Sequence, residues 1–449
     1  MLSEEKNRLL TQVGPGTPMG GLLRRYWMPI AGVSEFDSRA TKPIRLMGED
    51  LVLYRDLQGR FGLVDRRCAH RRADMVLGVV EDEGLRCQYH GWRFDAAGTC
   101  VEQPFEDTAF PGDAQQRQKA GLSITAYPVE TKGGLVWAYL GPQPAPLLPD
   151  WEAFSWPNGF AQIVLSEIPC NWFQCQENSI DPVHFEWMHE YWARRVRRGD
   201  MTRSPRHLKV AFDEFEHGFT YRRTKEDSNE QDEAWTVGRV CLWPNGFFLG
   251  EHFEWRVPID DEHTLSVTWK YVRVPQGREP YVQASIPTWE GPVFDAQGRW
   301  IDTHVMNQDF MAWVGQGTIA DRTREHLSAS DRGIAAIRKR FFDDLDTMAR
   351  GGEPKGLIRD PARNQRVPLP MMDRHLVVDG HTPEAIMAWG RLRAMYTTYV
   401  FQAGQPEWVR QQFAEAMGLP MTEHDGLVAS RNAAGMRPVV NLAGEREPR

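Results

Sequence analysis

Two short stretches decide the fold, Cys68-Ala-His-Arg-Arg72 and Cys87-Gln-Tyr-His-Gly-Trp92, with sixteen residues between His70 and Cys87. Each stretch holds one cysteine and one histidine, and four such ligands in two loops can bind zinc or an iron–sulfur cluster. A zinc finger usually places two cysteines in one half and two histidines in the other. A [2Fe–2S] centre with cysteines on one iron and histidines on the other needs mixed loops. The mixed pattern therefore favours the cluster over zinc, and Gly91 allows a tight turn after the second histidine.

Length and composition indicate an ordinary globular protein with two domains. The chain has 449 residues, of which 41% are apolar and 25% charged, and this length exceeds one ordinary core. The net charge of −8 argues against nucleic acid or an anionic membrane as a partner. We expect no transmembrane helix, because no run of about 18 apolar residues occurs. The first residues lack the basic-then-apolar layout of a signal peptide, so we expect a cytoplasmic location. Six cysteines are too few for a disulfide scaffold in so long a chain.

The pattern along the chain changes at a proline-rich segment, 142–150, which reads as a linker. Before it, strand-like runs such as 44–56, 59–65 and 134–141 alternate with turns, as in an antiparallel β domain. After it, a segment at 171–192 with apolar residues at helical spacing is followed by strand candidates at 207–226, 235–259 and 263–274. Helical patterns at 304–316 and 332–351 come after these strands, and this order predicts an α+β domain. A short helix is predicted at 1–12, a loop at 14–21 and a solvated loop in the basic run 194–203. The predicted division is 1–26, 27–142 and 143–449.

A second group of candidate metal ligands lies between Asn178 and His189. Asp181, His184 and His189 offer two imidazoles and a carboxylate, the ligand types of the facial triad of iron(II) oxygenases. Asp181 and His184 share a helix face, but His184 and His189 are five residues apart, which separates them by about 140° on a regular helix. The helix must therefore end or bulge, and π-type bulges favour functional sites. From spacing alone, a pair of structural histidines remains the alternative.

The motifs resemble those of the Rieske non-haem iron oxygenases. The shared features are His-Arg-Arg-Ala at 70–73, Tyr-His-Gly-Trp at 89–92 and Asn-x-x-Asp-x-x-His-x-x-x-x-His at 178–189. The resemblance implies a Rieske [2Fe–2S] cluster with Cys68 and Cys87 on one iron and His70 and His90 on the other. Most relatives have proline at the position of Ala69 and a small residue at that of Arg72; neither change affects a ligand.

The same resemblance implies that His184 and His189 bind a mononuclear Fe(II), with a carboxylate from a helix at least a hundred residues later. Asp309, in Asn-Gln-Asp-Phe, fits that place best. The competing acids are Asp302, Asp321 and Asp331. Asp181 is implied to bridge His184 to the cluster ligand His90 of a neighbouring subunit, which requires a homotrimer or stacked trimers.

Wider likeness implies the activity. Segments 10–32, 133–152, 168–187 and 308–331 resemble phthalate-dioxygenase-like oxygenase subunits, and most closely the dehydrodivanillate-type O-demethylases of lignin-derived acids. The likeness implies an N-terminal Rieske β domain and a catalytic domain with a helix-flanked antiparallel sheet of the helix-grip (START-like) type. It also implies O₂-dependent O-demethylation of a methoxylated aromatic carboxylate. The chain shows no convincing flavin or NAD motif, so a separate reductase is expected to oxidise NADH. The electrons are expected to reach this protein directly from the reductase or through a ferredoxin.

Three other functions stay open at this stage: ring cis-dihydroxylation of a phthalate-like acid, a Rieske electron carrier without oxygenase activity, and a zinc-bound interaction module. For the substrate carboxylate, Arg239 and Arg256 are candidate partners, because arginine pairs bidentately with carboxylates, although most arginines on strands face solvent. The candidate aromatic walls of a pocket, equally plausible as core residues, are Trp243, Phe247, Phe248 and Phe253.

Overall fold

A computed structural model describes residues 1–113, 121–191, 202–372 and 379–421. The strands up to the proline-rich segment are β1 (Met28–Gly32), β2 (Thr41–Leu46), β3 (Glu49–Arg55), β4 (Phe61–Asp65), β5 (Val79–Val80), β6 (Leu85–Arg86), β7 (Arg93–Phe94), β8 (Cys100–Glu102), β9 (Ala126–Tyr127), β10 (Val129–Lys132) and β11 (Leu135–Ala138). Those after it are β12 (Gly159–Ile168), β13 (His207–Phe215), β14 (Gly218–Lys225), β15 (Arg239–Leu242), β16 (Gly246–Phe248), β17 (His252–Pro258), β18 (Thr264–Arg273) and β19 (Thr288–Glu290).

The α-helices of the described residues are α1 (Glu4–Thr11), α2 (Pro18–Leu23), α3 (Pro104–Ala109), α4 (Trp172–Asn178), α5 (Glu233–Thr236), α6 (Val305–Gly315), α7 (Arg332–Ala349), α8 (Pro383–Ala388), α9 (Gly390–Thr397) and α10 (Glu407–Met417). A π-helix spans Phe185–Tyr191. The predicted helices at 1–12, 304–316 and 332–351 are confirmed, with ends shifted by at most three residues. The predicted loop at 14–21 is wrong in its second half, because α2 begins at Pro18. Thr17 caps this helix by accepting a hydrogen bond from the Gly20 amide, and proline suits a first helical position.

The first part of the chain forms small antiparallel sheets in the orders β1-β11-β10, β2-β3-β4-β9 and β5-β6-β7-β8. The predicted run 44–56 is a hairpin of β2 and β3, and it turns at Met47 and Gly48, whose φ angles are +46° and +79°. Two positive φ values are typical of the tight turn that matches strand twist. The predicted antiparallel β domain is therefore confirmed, and it is built from short strands.

The second part of the chain forms one large sheet in the order β13-β14-β15-β16-β17-β18-β12-β19. Its neighbouring strands are antiparallel except for the parallel pair of β12 and β19. Helices α4, α6 and α7 flank it, so the predicted α+β domain is confirmed. The basic run 194–203 lies almost entirely outside the described residues. Within the described ranges, no helix combines the length and apolar character needed to cross a membrane.

Alternation along β17 divides the sheet into an apolar face and a polar face. Trp255 points to one side and packs at 5.1 Å between ring centroids against Trp137 of the first part. Arg256 points to the other side, where its guanidinium lies 4.6 Å above the Trp313 ring of α6. Successive strand residues point to opposite faces, so His252 and Glu254 share the side of Arg256. The polar face is therefore the one that faces α6.

Helix α4 is fixed to α6 by a buried amide. The Gln174 side chain donates to the Trp313 carbonyl at 2.8 Å and accepts from the Ala320 amide at 2.9 Å. Gln174 is buried, so water cannot replace these partners. The residues that follow α4, including the π-helix, are thereby held beside the helix that carries Asp309.

Candidate metal centres and the cavity beside them

The first candidate site lies at two neighbouring loops of the β domain. The loop with Cys68 follows β4 and is closed by an antiparallel bridge between Arg67 and Asp74, and the loop with Cys87 joins β6 to β7. Both cysteines are buried and free. Burial, together with the neighbouring Cys87 thiol, raises the pKa of the Cys68 thiol to about 11. A metal ion favours the thiolate in such a pair, because thiolate is the ligating form.

The two histidines of these loops also lie together. The rings of His70 and His90 are 4.4 Å apart between centroids, and Trp92 stacks on His70 at 4.5 Å. The Nδ1 atom of His70 is buried and has no hydrogen-bond partner among the described residues. Paired cysteines next to paired histidines fit a [2Fe–2S] cluster with thiolates on one iron and imidazoles on the other. The histidine end is at the surface, because His90 and Tyr89 are exposed.

Backbone geometry explains two residues of these loops. Gly91 has a φ of +78°, and a Cβ atom added there would lie 2.9 Å from Pro104 Cγ, so the expected tight turn after His90 requires glycine. Arg72 has a φ of +58°. The small residue of most relatives suits that left-handed conformation, whereas arginine adopts it here and donates to the Arg67 carbonyl at 3.3 Å.

The second candidate site is built on the π-helix. A π-helix bonds residue i to residue i+5, so it returns His184 and His189 to the same side, as their five-residue spacing requires. The expected bulge is confirmed. His184 Nε2 lies 3.7 Å and His189 Nε2 lies 3.4 Å from Asp309 Oδ1. Two ligands at right angles, each about 2.1 Å from one metal, are about 3 Å apart, so the three atoms can converge on one ion.

Charge and burial also fit a cation at this position. His189 Nε2 is buried without a hydrogen-bond partner in the described part of the chain. Burial disfavours the protonated ring, but the Asp309 carboxylate outweighs it and raises the pKa of His189. Asp309 is 6% exposed. The donor set of two imidazoles and one carboxylate is that of non-haem iron(II) oxygenases, and it leaves coordination positions open.

Three polar side chains orient the proposed ligands. Asp181 Oδ2 lies 3.4 Å from His184 Nδ1. Burial raises the pKa of a carboxyl group, but the neighbouring His184 outweighs this effect and the pKa of Asp181 is lowered. Gln308 Oε1 lies 2.8 Å from His189 Nδ1. Asn178 donates to Asp309 Oδ1 at 3.2 Å. Gln308 was not predicted as a site residue, although its position next to Asp309 in Asn-Gln-Asp-Phe was a possible signal.

The competing acids have other partners. Asp321 accepts from the Thr323 hydroxyl at 2.6 Å, and Asp331 accepts from the Ser328 amide at 2.7 Å. Asp302 uses its backbone carbonyl to accept from Gln308 Nε2 at 2.9 Å. None of the three belongs to the group of converging ligand atoms that His184 and His189 form within the described residues.

A cavity of about 150 Å³ lies beside these ligand atoms. An apolar cavity of about this size holds one benzene ring, so this one can enclose one aromatic ring. The residues that wall it are Asn178, His184, Phe185, Gly238, Arg239, Phe247, Phe248, Leu249, Glu251, Glu254, Val305, Asp309, Pro370, Met371, Met372 and Phe401. Arg239, Phe247 and Phe248 are thus at the cavity. Trp243, Phe253 and Arg256 are not in its wall; the two aromatics pack in the core, and Arg256 pairs with Glu254.

Comparisons with known proteins agree with this arrangement. A family model described as the Rieske [2Fe-2S] domain matches residues 26–127, and one described as LigXa C-terminal domain like matches residues 297–369. The 5,5'-dehydrodivanillate O-demethylase oxygenase subunit of Sphingobium sp. (strain NBRC 103272 / SYK-6) is 59% identical, covering 93% of this chain and 97% of that protein. The phthalate 4,5-dioxygenase oxygenase subunit of Pseudomonas putida is 31% identical, covering 78% of this chain and 88% of that protein.

Solved structures support the same fold. NdmA of Pseudomonas putida CBB5 superimposes with a TM-score of 0.52 at 19% identity, covering 81% of this chain and 97% of that chain. The fold and the two sites define the class, an oxygenase subunit with a Rieske cluster and a mononuclear iron, supplied with electrons by a reductase. The chain belongs to the Rieske non-haem iron oxygenases, in the group of phthalate-dioxygenase-like oxygenase subunits.

Proposed function

We propose that this protein catalyses O-demethylation of a methoxylated, lignin-derived aromatic carboxylate. The main support for this proposal is the 59% identity to the dehydrodivanillate O-demethylase oxygenase subunit over 97% of that protein's length. The reaction consumes one methoxyarene, O₂, NADH and a proton and yields the phenol, formaldehyde, NAD⁺ and water. One oxygen atom is inserted into a C–H bond of the methyl group. The resulting hemiacetal then breaks the bond between the ether oxygen and the former methyl carbon. NADH is oxidised by a separate reductase, which delivers electrons directly or through a ferredoxin.

The proposed ligands follow from the donor sets. Cys68 and Cys87 would hold one iron of the cluster, with His70 and His90 on the other. His184, His189 and Asp309 would hold the mononuclear iron, which when bound supplies O₂ activation. Supporting observations are the buried thiol pair, the adjoining imidazoles and the convergence of both Nε2 atoms on Asp309 Oδ1.

Arg239 is the proposed partner of the substrate carboxylate. Its Nη1 atom is buried without a hydrogen-bond partner in the described residues, and its guanidinium lies 4.4 Å above the Phe185 ring in the cavity wall. Arg223 lies above the same ring at 4.7 Å. Burial first, and then the charge of Arg239, lower the pKa of Arg223 to about 10. Two like charges beside one ring favour an anion in the cavity.

Asp181 is the proposed bridge for electrons between subunits. Its carboxylate lies near His184 but its side chain is still 27% exposed, so a neighbouring chain can reach it. His90 is exposed, which allows the cluster of one chain to approach Asp181 of the next. The arrangement needs a closed ring of subunits, and we infer a homotrimer, alone or stacked. We also infer a cytoplasmic location, because the six free cysteines suit a reducing compartment.

The testing experiment supplies the holoprotein with a compatible reductase, NADH, O₂ and 5,5'-dehydrodivanillate. Formaldehyde should appear in proportion to O₂ consumed. Phthalate serves as the comparison substrate, because the 31% identical dioxygenase subunit makes ring dihydroxylation the second candidate. A cis-diol without formaldehyde would assign that second activity.

Two variants test the proposed role of Arg239 in the same assay. Arg239→Gln should raise KM for carboxylated substrates far more than it lowers kcat, because it removes a binding charge and leaves the proposed iron ligands in place. Arg239→Lys keeps the charge without the bidentate geometry and should recover part of the loss. Equal KM values in the parent protein and Arg239→Gln would reject the carboxylate assignment.

A further inference from the structure

Two oppositely charged side chains, Arg239 and Glu254, lie on the face of the large sheet that lines the cavity. Strand pairing aligns Cys241 of β15 with Phe247 of β16, and Phe247 with Glu254 of β17. Side chains at aligned positions share a face, and Arg239 shares it too, two residues before Cys241. Neighbouring strands are about 4.8 Å apart and two residues along a strand span about 7 Å, so the backbones of Arg239 and Glu254 are roughly 12 Å apart diagonally across the sheet. The aromatic ring of Phe247 projects from the strand between them.

Glu254 is an ionised carboxylate with free acceptor capacity. It is 3% exposed; its Oε1 accepts from His252 Nε2 at 2.6 Å, and its Oε2 pairs with Arg256. Burial disfavours the charge, but Arg256 and His252 outweigh it and lower the pKa of Glu254 to about 2. An ionised carboxylate has about four acceptor positions, and these two neighbours occupy two of them.

A second buried polar group, the Tyr399 hydroxyl, is affected by the charge of Glu254. The Tyr399 hydroxyl is buried without a partner among the residues that the structure describes. Its pKa is raised, first by burial and then by the charge of Glu254. Buried polar groups are normally satisfied, so the Tyr399 hydroxyl has unused hydrogen-bonding capacity.

We propose that Glu254 binds a phenolic hydroxyl of the substrate, opposite the carboxylate that Arg239 holds. The inference rests on the proposed function and deepens it. A 4-hydroxy-3-methoxybenzoate ring has its carboxylate and hydroxyl at opposite ends, with the methoxy group next to the hydroxyl. Such a ring spans the cavity from Arg239 to Glu254. A phthalate-like ring has no hydroxyl for Glu254, so this contact selects phenolic acids.

Binding to the unaltered holoprotein tests the proposal without a mutation. The probes are 5,5'-dehydrodivanillate and the same biaryl acid without its two hydroxyl groups, each titrated calorimetrically under anaerobic conditions. A hydrogen bond to a charged acceptor predicts that removing the hydroxyls raises Kd by about tenfold to a hundredfold. Equal Kd values for the two acids would overturn the proposal.

Variants identify the carboxylate. Glu254→Gln should lower the ratio of the two Kd values about five- to tenfold, because a neutral acceptor binds the hydroxyl less strongly than a charged one. Glu251→Gln is the matched comparison, since Glu251 also walls the cavity and pairs with Lys270 at 3.0 Å. Loss of discrimination in Glu251→Gln instead would overturn the assignment to Glu254. If Glu254→Gln does not fold, the titrations of the unaltered protein still test whether the hydroxyl groups contribute to binding, and Glu251→Gln still tests the competing carboxylate.

Product analysis separates this inference from the proposed function. Formaldehyde from both acids, together with equal Kd values, would reject the role of Glu254 and leave O-demethylation intact. Oxygen consumption that yields a diol and no formaldehyde would reject the proposed function, whatever the Kd values.

Discussion

Replacing Gln308 with leucine should weaken binding of the mononuclear iron and leave the cluster unchanged. Gln308 Oε1 lies 2.8 Å from His189 Nδ1, and Gln308 Nε2 donates to the Asp302 carbonyl at 2.9 Å. Because the amide nitrogen is held from the other side, the oxygen must face the imidazole. The hydrogen-bond network therefore assigns the proton of the neutral ring to Nδ1 and leaves Nε2 for the metal.

The size of the effect follows from burial. Loss of a residue that orients a metal ligand typically weakens metal affinity about tenfold to a hundredfold, which corresponds to about 1.4–2.8 kcal/mol. Gln308 is 3% exposed, so water cannot readily replace the lost acceptor. Leucine is similar in size but has no polar atom. We therefore expect a loss in the upper half of that range.

The assay is an anaerobic Fe(II) titration of protein whose mononuclear site has been emptied, with the visible absorption of the cluster as the internal reference. Gln308→Glu is the matched control, because it keeps an oxygen for His189 but loses the donor to Asp302; it should bind iron with intermediate affinity. An unchanged Fe(II) affinity in a folded Gln308→Leu protein would refute the reasoning.

Four further substitutions test the sites. Asp309→Ala should lower iron from about three to about two per chain with the cluster absorption retained; retained iron, measured by metal analysis, would move the carboxylate ligand elsewhere. Cys87→Ser should abolish the visible absorption of the cluster, and a red-brown product would contradict the ligand assignment. Asp181→Asn should keep both metals and slow coupled turnover about tenfold to a hundredfold; unchanged O₂ and NADH consumption would reject the bridge. Gly91→Ala should destabilise the protein by about 1–2 kcal/mol in chemical unfolding, because its φ is +78° and the new Cβ meets Pro104; an unchanged midpoint would show that the turn tolerates a side chain.

The Cys–His loops and the His184–His189 segment could be predicted from the sequence, because the residues that define each of them lie within a few positions of one another. The two Cys–His loops each close on themselves through bonds such as Gly91 N–H to the Cys87 carbonyl at 3.0 Å. The five-residue step from His184 to His189 conflicts with a regular helix. That conflict predicted that the helix ends or bulges there, and the π-helix confirms the bulge. Helices α6 and α7 followed from apolar periodicity.

The carboxylate ligand of the proposed mononuclear iron could not be identified from the sequence as clearly. Asp302 and Asp309 both lie near the start of α6. They differ in whether the side chain faces the two histidines, which lie more than a hundred residues earlier in the chain. Only the packing of α4 against α6, through Gln174 and the Trp313 carbonyl, brings Asp309 into reach of both histidines. Contacts between distant segments depend on tertiary packing, and local propensity carries no information about them.

The substrate cavity depended most on tertiary structure. Arg239 and Arg256 are both strand arginines, and the sequence offered no reason to prefer either as the carboxylate partner. The structure distinguishes their surroundings: Arg256 is neutralised in a buried pair, whereas Arg239 lies in the cavity wall with an unpartnered Nη1 in the described structure. The sequence therefore predicted the two cofactors and the class of enzyme through the resemblance of its short motifs to a known family, whereas residue type and spacing alone left zinc and structural histidines open. The shape and charge of the cavity were decided by the tertiary structure, because they come from side chains that only the sheet and its helices bring together.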